Sequence, residues 1–204
     1  VVGTSFAVPK VARIAARLQK VLPDESCLLY RALILQSARW PAWAEQLDKP
    51  QKAALLRRIG FGIPDIELAT TNTDHRVTFL TNQDRTLGAG DCHIYQVPIP
   101  PAMRSPADAF DIRIDVTLSY AASPRRTRRS LRGYLATWLD WTNNRKGESL
   151  EAFLSRALKT EEDVTNEGEG QLGWILHEKP IWGLPGIKRS VGTVQKDWAV
   201  VKSH

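Results

Sequence analysis

Gly3-Thr4-Ser5-Phe6-Ala7-Val8-Pro9 is the stretch on which the reading of this chain turns, because it leads directly into a segment with helical periodicity. Val11, Ala15, Leu18 and Leu22 recur at helical spacing, while Lys10, Arg13, Arg17 and Lys20 fall on another stripe. The pattern predicts one amphipathic helix from Phe6 to Leu22, ended by Pro23. Ser5 then sits at a helix N-terminus, where free backbone N–H groups and the positive end of the macrodipole favour an oxygen that gains negative charge. Gly3 permits a tight approach of backbone and substrate, and the small Ala7 lets the helix pack closely. Pro9 is expected in the first turn, whose N–H groups have no internal partner. Ser5 is therefore a candidate nucleophile, and its N–H a candidate oxyanion donor. The plainer alternative is that Thr4 or Ser5 only caps the helix.

Working outward, Asp24 or Ser26 can cap a second helix, Leu28 to Ala38, which is apolar on nearly all sides as for a helix inside a larger body. Trp40 and Pro41 close it. A short helix is expected at Lys52 to Ile59, and Gly60-Phe61-Gly62-Ile63-Pro64-Asp65 reads as a turn into another, Ile66 to Ala69. Beyond residue 74 the period becomes twofold. From Asp111 to Tyr120, Ile112, Ile114, Val116, Leu118 and Tyr120 alternate with Asp111, Arg113, Asp115, Thr117 and Ser119, which predicts a half-buried antiparallel strand. Arg76 to Leu80, His93 to Ile99, Leu131 to Trp141, Leu172 to His177 and Trp198 to Lys202 also read as strands. A small β-sandwich accommodates them. Glu148 to Leu158 reads as a short amphipathic helix and Glu161 to Gly170 as a flexible acidic loop.

Gly3-Thr4-Ser5-x-Ala7-x-Pro9 opening a helix resembles the nucleophile motif of the subtilases, the subtilisin-like serine proteases. Leu29-Tyr30-Arg31-Ala32-Leu33-Ile34-Leu35-Gln36-Ser37-Ala38 is similar to the second buried helix after the nucleophile, and the Gly60-x-Gly62 turn to the one leading into the last helix of that domain. The resemblance implies an α+β chain: residues 1–74 as the C-terminal portion of a subtilisin-like catalytic domain, and 75–204 as a β-rich, sandwich-like accessory domain. The later segment, with Asp115-Val116-Thr117-Leu118-Ser119-Tyr120 and Pro124-Arg125-Arg126-Thr127-Arg128-Arg129, looks similar to the C-terminal region of certain bacterial intracellular subtilases, some linked to anti-phage defence. The implied activity is peptide-bond hydrolysis through Ser5 and an acyl-enzyme, on a protein or peptide substrate and without a cofactor or metal. Subtilases carry their Asp, His and oxyanion Asn before the serine, so these are expected upstream of Val1, and this chain alone is expected to lack peptidase activity. His75, His93, His177 and His204 follow Ser5 and read as surface or strand histidines.

Composition limits the other classes. With 43% hydrophobic and 25% charged residues, 204 residues can bury a core, and no apolar run reaches membrane-spanning length. The net charge of +6 divides as +3 on each side of residue 74, so no half is a basic arm. Arg125, Arg126, Arg128 and Arg129 form the tight basic cluster, read as a solvated hairpin loop rather than a nucleic-acid site. Cys27 and Cys92 are expected as buried free thiols of a reducing, cytoplasmic compartment, and Cys92 beside His93 lacks a second ligand pair for zinc. A rival reading is a β-sandwich that binds a partner, signalled by exposure of Trp138, Trp141, Trp174 and Trp198; buried tryptophans are the default. The apolar faces of the leading helices need cover, from the upstream part of the catalytic domain, from the β-rich part, or from a second copy.

Overall fold

The computed structural model describes residues 3–81, 83–98, 111–123, 137, 139, 141–145, 147–157 and 192–202. In chain order these form α1 (Thr4–Val21), α2 (Cys27–Ser37), a 3₁₀ turn (Ala42–Gln46), α3 (Lys49–Ile59), α4 (Ile66–Thr70), β1 (Asp111–Ser119), α5 (Leu150–Ala157) and β2 (Val194–Lys202). The chain is thus a mixed helix and strand structure of the α+β kind.

Each helix end follows from local chemistry. Ser26 caps α2, its Oγ accepting from the Leu29 N–H at 3.2 Å, so of the two candidate caps Ser26 is the one used. Asp48 and Gln51 form a reciprocal capping box at the start of α3, with Pro50 in its first turn, where a missing N–H costs nothing. Asp65 caps α4 by accepting from the Leu68 N–H at 2.8 Å. At α1 no side chain caps. The helix starts at Thr4 after Gly3, whose φ of +152° is a conformation that side chains other than glycine's rarely adopt.

Two apolar clusters organise the helices. Ile14 and Leu18 of α1, Leu33 of α2 and Ala69 of α4 are buried together, with Leu22, Leu29, Tyr30, Ile34 and Ile66 packed around them. Trp40, Ala44 of the 3₁₀ turn, Leu55 of α3 and Trp198 of β2 form the second cluster. Trp40 and Trp198 meet edge to face at 5.1 Å, and the Trp40 indole donates to the Gly60 carbonyl at 2.8 Å.

β1 and β2 pair antiparallel over nine residues, from Asp111 opposite Lys202 to Ser119 opposite Val194. The strand expected at Asp111 to Tyr120 is therefore present, and the one expected from Trp198 starts four residues earlier. Its alternation works in an unexpected sense: the polar stripe of Arg113, Asp115, Thr117 and Ser119 is the one that bonds the helical layer. No sandwich is built by the described residues. Arg76–Leu80 and His93–Pro98 are not strands, apart from a single bridge between Thr73 and Arg76. Val77, Phe79, Ile94, Tyr95 and Val97 stand exposed there, so alternation found no second strand or apolar face to serve. Ile99, most of Leu131 to Trp141, all of Leu172 to His177, the Glu161 to Gly170 loop, and the arginine cluster lie outside the described residues.

Candidate functional site

Thr4 and Ser5 occupy the first two positions of α1, inside the helix rather than at its cap. The Phe6 N–H closes on the Gly3 carbonyl at 3.2 Å, which leaves the N–H groups of Thr4 and Ser5 as the open donors of this turn among the described residues. Ser5 is exposed, as are Gly3, Thr4, Ala7 and Pro9. Two expectations need correction. Pro9 is the sixth residue of the helix, past the first turn, and having no N–H it cannot donate to the Ser5 carbonyl as a sixth residue otherwise would. Ala7 is not packed against a neighbouring element.

Residues of α1 and α2 line an open apolar groove of about 380 Å³: Val11, Ala15, Cys27, Tyr30, Ile34 and Leu35, with Arg31 among them. On α1, Phe6, Val8 and Val11 are 59%, 65% and 38% exposed. The turn named in the resemblance is brought against the end of α2. Arg39 and Ile63 exchange backbone hydrogen bonds at 3.0 Å in both directions, and the Asp65 N–H donates to the Ser37 Oγ at 3.2 Å. Gly62 makes the approach feasible: its φ is +97°, and a Cβ there would lie 2.1 Å from the Arg39 carbonyl oxygen.

Among the described residues, no histidine is hydrogen-bonded to Ser5. His75 and His93 are exposed, and His177 and His204 lie outside the described residues. Cys27 and Cys92 are both exposed free thiols, contrary to the buried state expected. Cys27 begins a helix with only its later residues inside, and Cys92 belongs to the unpaired segment. No group of three metal-ligating side chains occurs among the described residues, and no helix among them is long and apolar enough to cross a membrane. Trp198 is 9% exposed and Trp141 half-buried, so neither offers an exposed aromatic face; Trp138 and Trp174 lie outside the described residues.

Sequence reasoning missed a polar seam between α2 and the strand pair. Arg31 donates from Nε to the Ser119 Oγ (2.9 Å), from Nη1 to the Thr193 Oγ1 (3.1 Å), and from Nη2 to the carbonyls of Tyr120 (2.6 Å) and Thr193 (3.1 Å). Gln36 donates to the Asp115 carbonyl at 3.1 Å and accepts from the Thr117 hydroxyl. Lys196, 1% exposed, donates from Nζ to the carbonyls of Leu35, Gln36 and Ala38 at 2.9, 3.1 and 2.5 Å. The Leu35 carbonyl also accepts from the Ala38 N–H, and those of Gln36 and Ala38 from the Arg39 guanidinium, so β2 adds a lysine to the local bonds that close the end of α2. Burial, then the nearby Arg39, pushes the Lys196 ammonium down to about 7, against an opposing pull from Asp115. Burial likewise lowers Arg39, which Asp115 partly offsets across 3.4 Å. No pattern could have flagged Lys196, since it stands in a strand where alternate positions are routinely polar.

Against known proteins, this chain is similar to one from Sinorhizobium fredii named uncharacterized protein y4bN: 33% identical over 132 residues, 64% of this chain. The match spans 30% of that relative's length. No protein-family model matches the chain, and no solved structure matches it.

Proposed function

We propose that Ser5 is the nucleophile of a subtilisin-type serine endopeptidase, with the remaining catalytic groups supplied by parts of the intact protein outside this sequence. The observation that carries the reading is the exposed Ser5 on the opening turn of α1, entered through Gly3 at positive φ and flanked by open N–H donors. The exposed apolar residues Phe6, Val8 and Val11 support it as well, since a nucleophile helix embedded in a catalytic domain would cover them.

In this mechanism the Ser5 Oγ attacks a peptide carbonyl carbon while its proton passes to a histidine base. The carbonyl oxygen becomes an oxyanion, and the Ser5 N–H, aided by the helix N-terminus, donates to it. The histidine returns the proton to the leaving amine as the C–N bond breaks. Water then attacks the acyl-enzyme ester, giving a free carboxylate and restoring the Ser5 hydroxyl. The substrate is a protein or peptide, the chemistry uses no cofactor, and a cytoplasmic setting fits two free thiols.

The test is labelling by an active-site serine phosphonate, on the intact protein and on this 204-residue chain, each beside Ser5→Ala. Labelling of the intact protein alone, abolished by Ser5→Ala, is the expected result. Ser5→Ala should shift the urea midpoint by no more than about 0.5 kcal/mol of stability, as for an exposed side chain. An intact protein that does not label, or that labels equally without Ser5, removes the reading.

A further inference from the structure

The net charge divides evenly between the two halves of the chain but not between its elements. α1 holds Lys10, Arg13, Arg17 and Lys20 and neither Asp nor Glu. At 3.6 residues per turn these four fall within an arc of about 80° and extend about 15 Å along the axis. All four are exposed, and no ion pair or hydrogen bond reaches them among the described residues. The line of Ile14 and Leu18, buried with residues of α2 and α4, lies outside that arc. Toward the start of the helix every residue from Gly3 to Arg13 is exposed, the large apolar Phe6, Val8 and Val11 included. Phe6 falls within the basic arc, one turn before Lys10, whereas Val8 and Val11 fall on the far side of the buried line.

We propose that α1 docks an acidic protein surface: a part of the intact protein outside this sequence that sets carboxylates against Lys10, Arg13, Arg17 and Lys20 and apolar side chains against Phe6, Val8 and Val11. The inference rests on the peptidase reading in one respect, that the intact protein covers α1, and adds the chemistry of what covers it. The related Sinorhizobium fredii protein has chain to spare for such a part, since the match takes 30% of its length. Covering four cations without partners costs more than the burial of three apolar side chains returns, so a cover that reaches the stripe must bring carboxylates. Arg13 and Arg17 can each take one in a two-pronged pair. Other occupants match only part of the surface. A second copy would oppose the basic stripe with itself. A phosphate backbone would neutralise the stripe and leave Val8 and Val11 in water. A lipid surface takes up a helix by its apolar face, and here Ile14 and Leu18 are already engaged with α2 and α4.

Carbodiimide coupling, which joins an amine to a carboxylate only where the two are in contact, tests this on the intact protein. Mass spectrometry should find Lys10 or Lys20 joined to an Asp or Glu outside residues 1–204. As a second measurement, Arg13→Glu together with Arg17→Glu should lower the urea midpoint of the intact protein and leave that of the 204-residue chain, where both side chains are exposed, nearly unchanged. An intact double variant too unstable to purify, beside a sound variant of this chain, is the same result in stronger form. Coupling at Lys10 and Lys20 that is absent, or confined to Asp and Glu within residues 1–204, overturns the proposal, as does a double variant that shifts neither protein. So does a single-stranded oligonucleotide that binds the intact protein and is released by the double variant, which would assign the stripe to a nucleic acid instead. Phosphonate labelling is scored apart: an intact protein that couples at Lys10 without labelling loses only the peptidase reading, and one that labels without coupling loses only this inference.

Discussion

At the residue scale, Gly62 shows how one missing Cβ fixes the path of a chain. Its φ of +97° and the 2.1 Å contact that a Cβ would make with the Arg39 carbonyl act together, and the neighbour it would strike is backbone that cannot swing away. Gly62→Ala should cost about 2–4 kcal/mol in urea unfolding, combining a positive-φ penalty with displacement of the Arg39 and Ile63 bridge. Gly60→Ala, with nothing within 4 Å of the added methyl, should cost less, leaving only its φ of +57°. The turn was legible in sequence because paired glycines around an apolar residue mark a bend. What it bends against was not, since Arg39 lies 23 positions earlier and gives no local sign of it. The place of Ser5 on a helix start was likewise legible, from the helical period that follows it.

At the scale of elements, α1 separates periodicity from burial. Helical spacing picked out Val11, Ala15, Leu18 and Leu22, yet burial centres on Ile14 and Leu18, because the face turned to α2 and α4 is rotated by about half a position from the stripe. Leu18→Ala should therefore destabilise by about 2–5 kcal/mol, while Val11→Ala should stay within about 0.5 kcal/mol, both read from urea midpoints. Comparable losses at both positions would mean that the first half of α1 is covered in solution. Among the described residues, α1 to α5 all lie within a few residues of where composition and caps put them. β1 was equally legible as a strand, but its docking face was not. Alternation names two faces, and the polar one was chosen here because α2 offers Arg31 and Gln36 to it. Arg76–Leu80 and His93–Pro98 show the limit of the rule: alternation describes a surface that could be half buried, and pairing requires a partner.

For the molecule as a whole, the second apolar cluster joins the 3₁₀ turn and α3 to the last strand through Trp198, so helices and strands share a core across residue 74. Arg113 lies over the Trp198 ring at 5.1 Å and is itself bonded to Asp115, tying β1 into the same cluster. Trp198→Ala should cost about 3–5 kcal/mol and split one coincident transition, followed by far- and near-ultraviolet circular dichroism, into two. A single unchanged transition would mean that the polar seam alone couples the layers.

The lysine cap has a further consequence, in time rather than in energy. Lys196 closes on the Leu35 carbonyl from 161 residues away, and Arg31 meets Thr193 across 162, whereas the contacts of α1, α2 and α4 are complete once the first 70 residues exist. At a synthesis rate of about 5–20 residues per second, the finished helices wait roughly 7–26 s for the strand that covers them. Through that interval the end of α2 has only its local donors, Ser37, the Ala38 N–H and the Arg39 guanidinium, and the ring of Trp40 lacks its edge contact, so the order of translation makes this end the last part of the helix to gain all its partners.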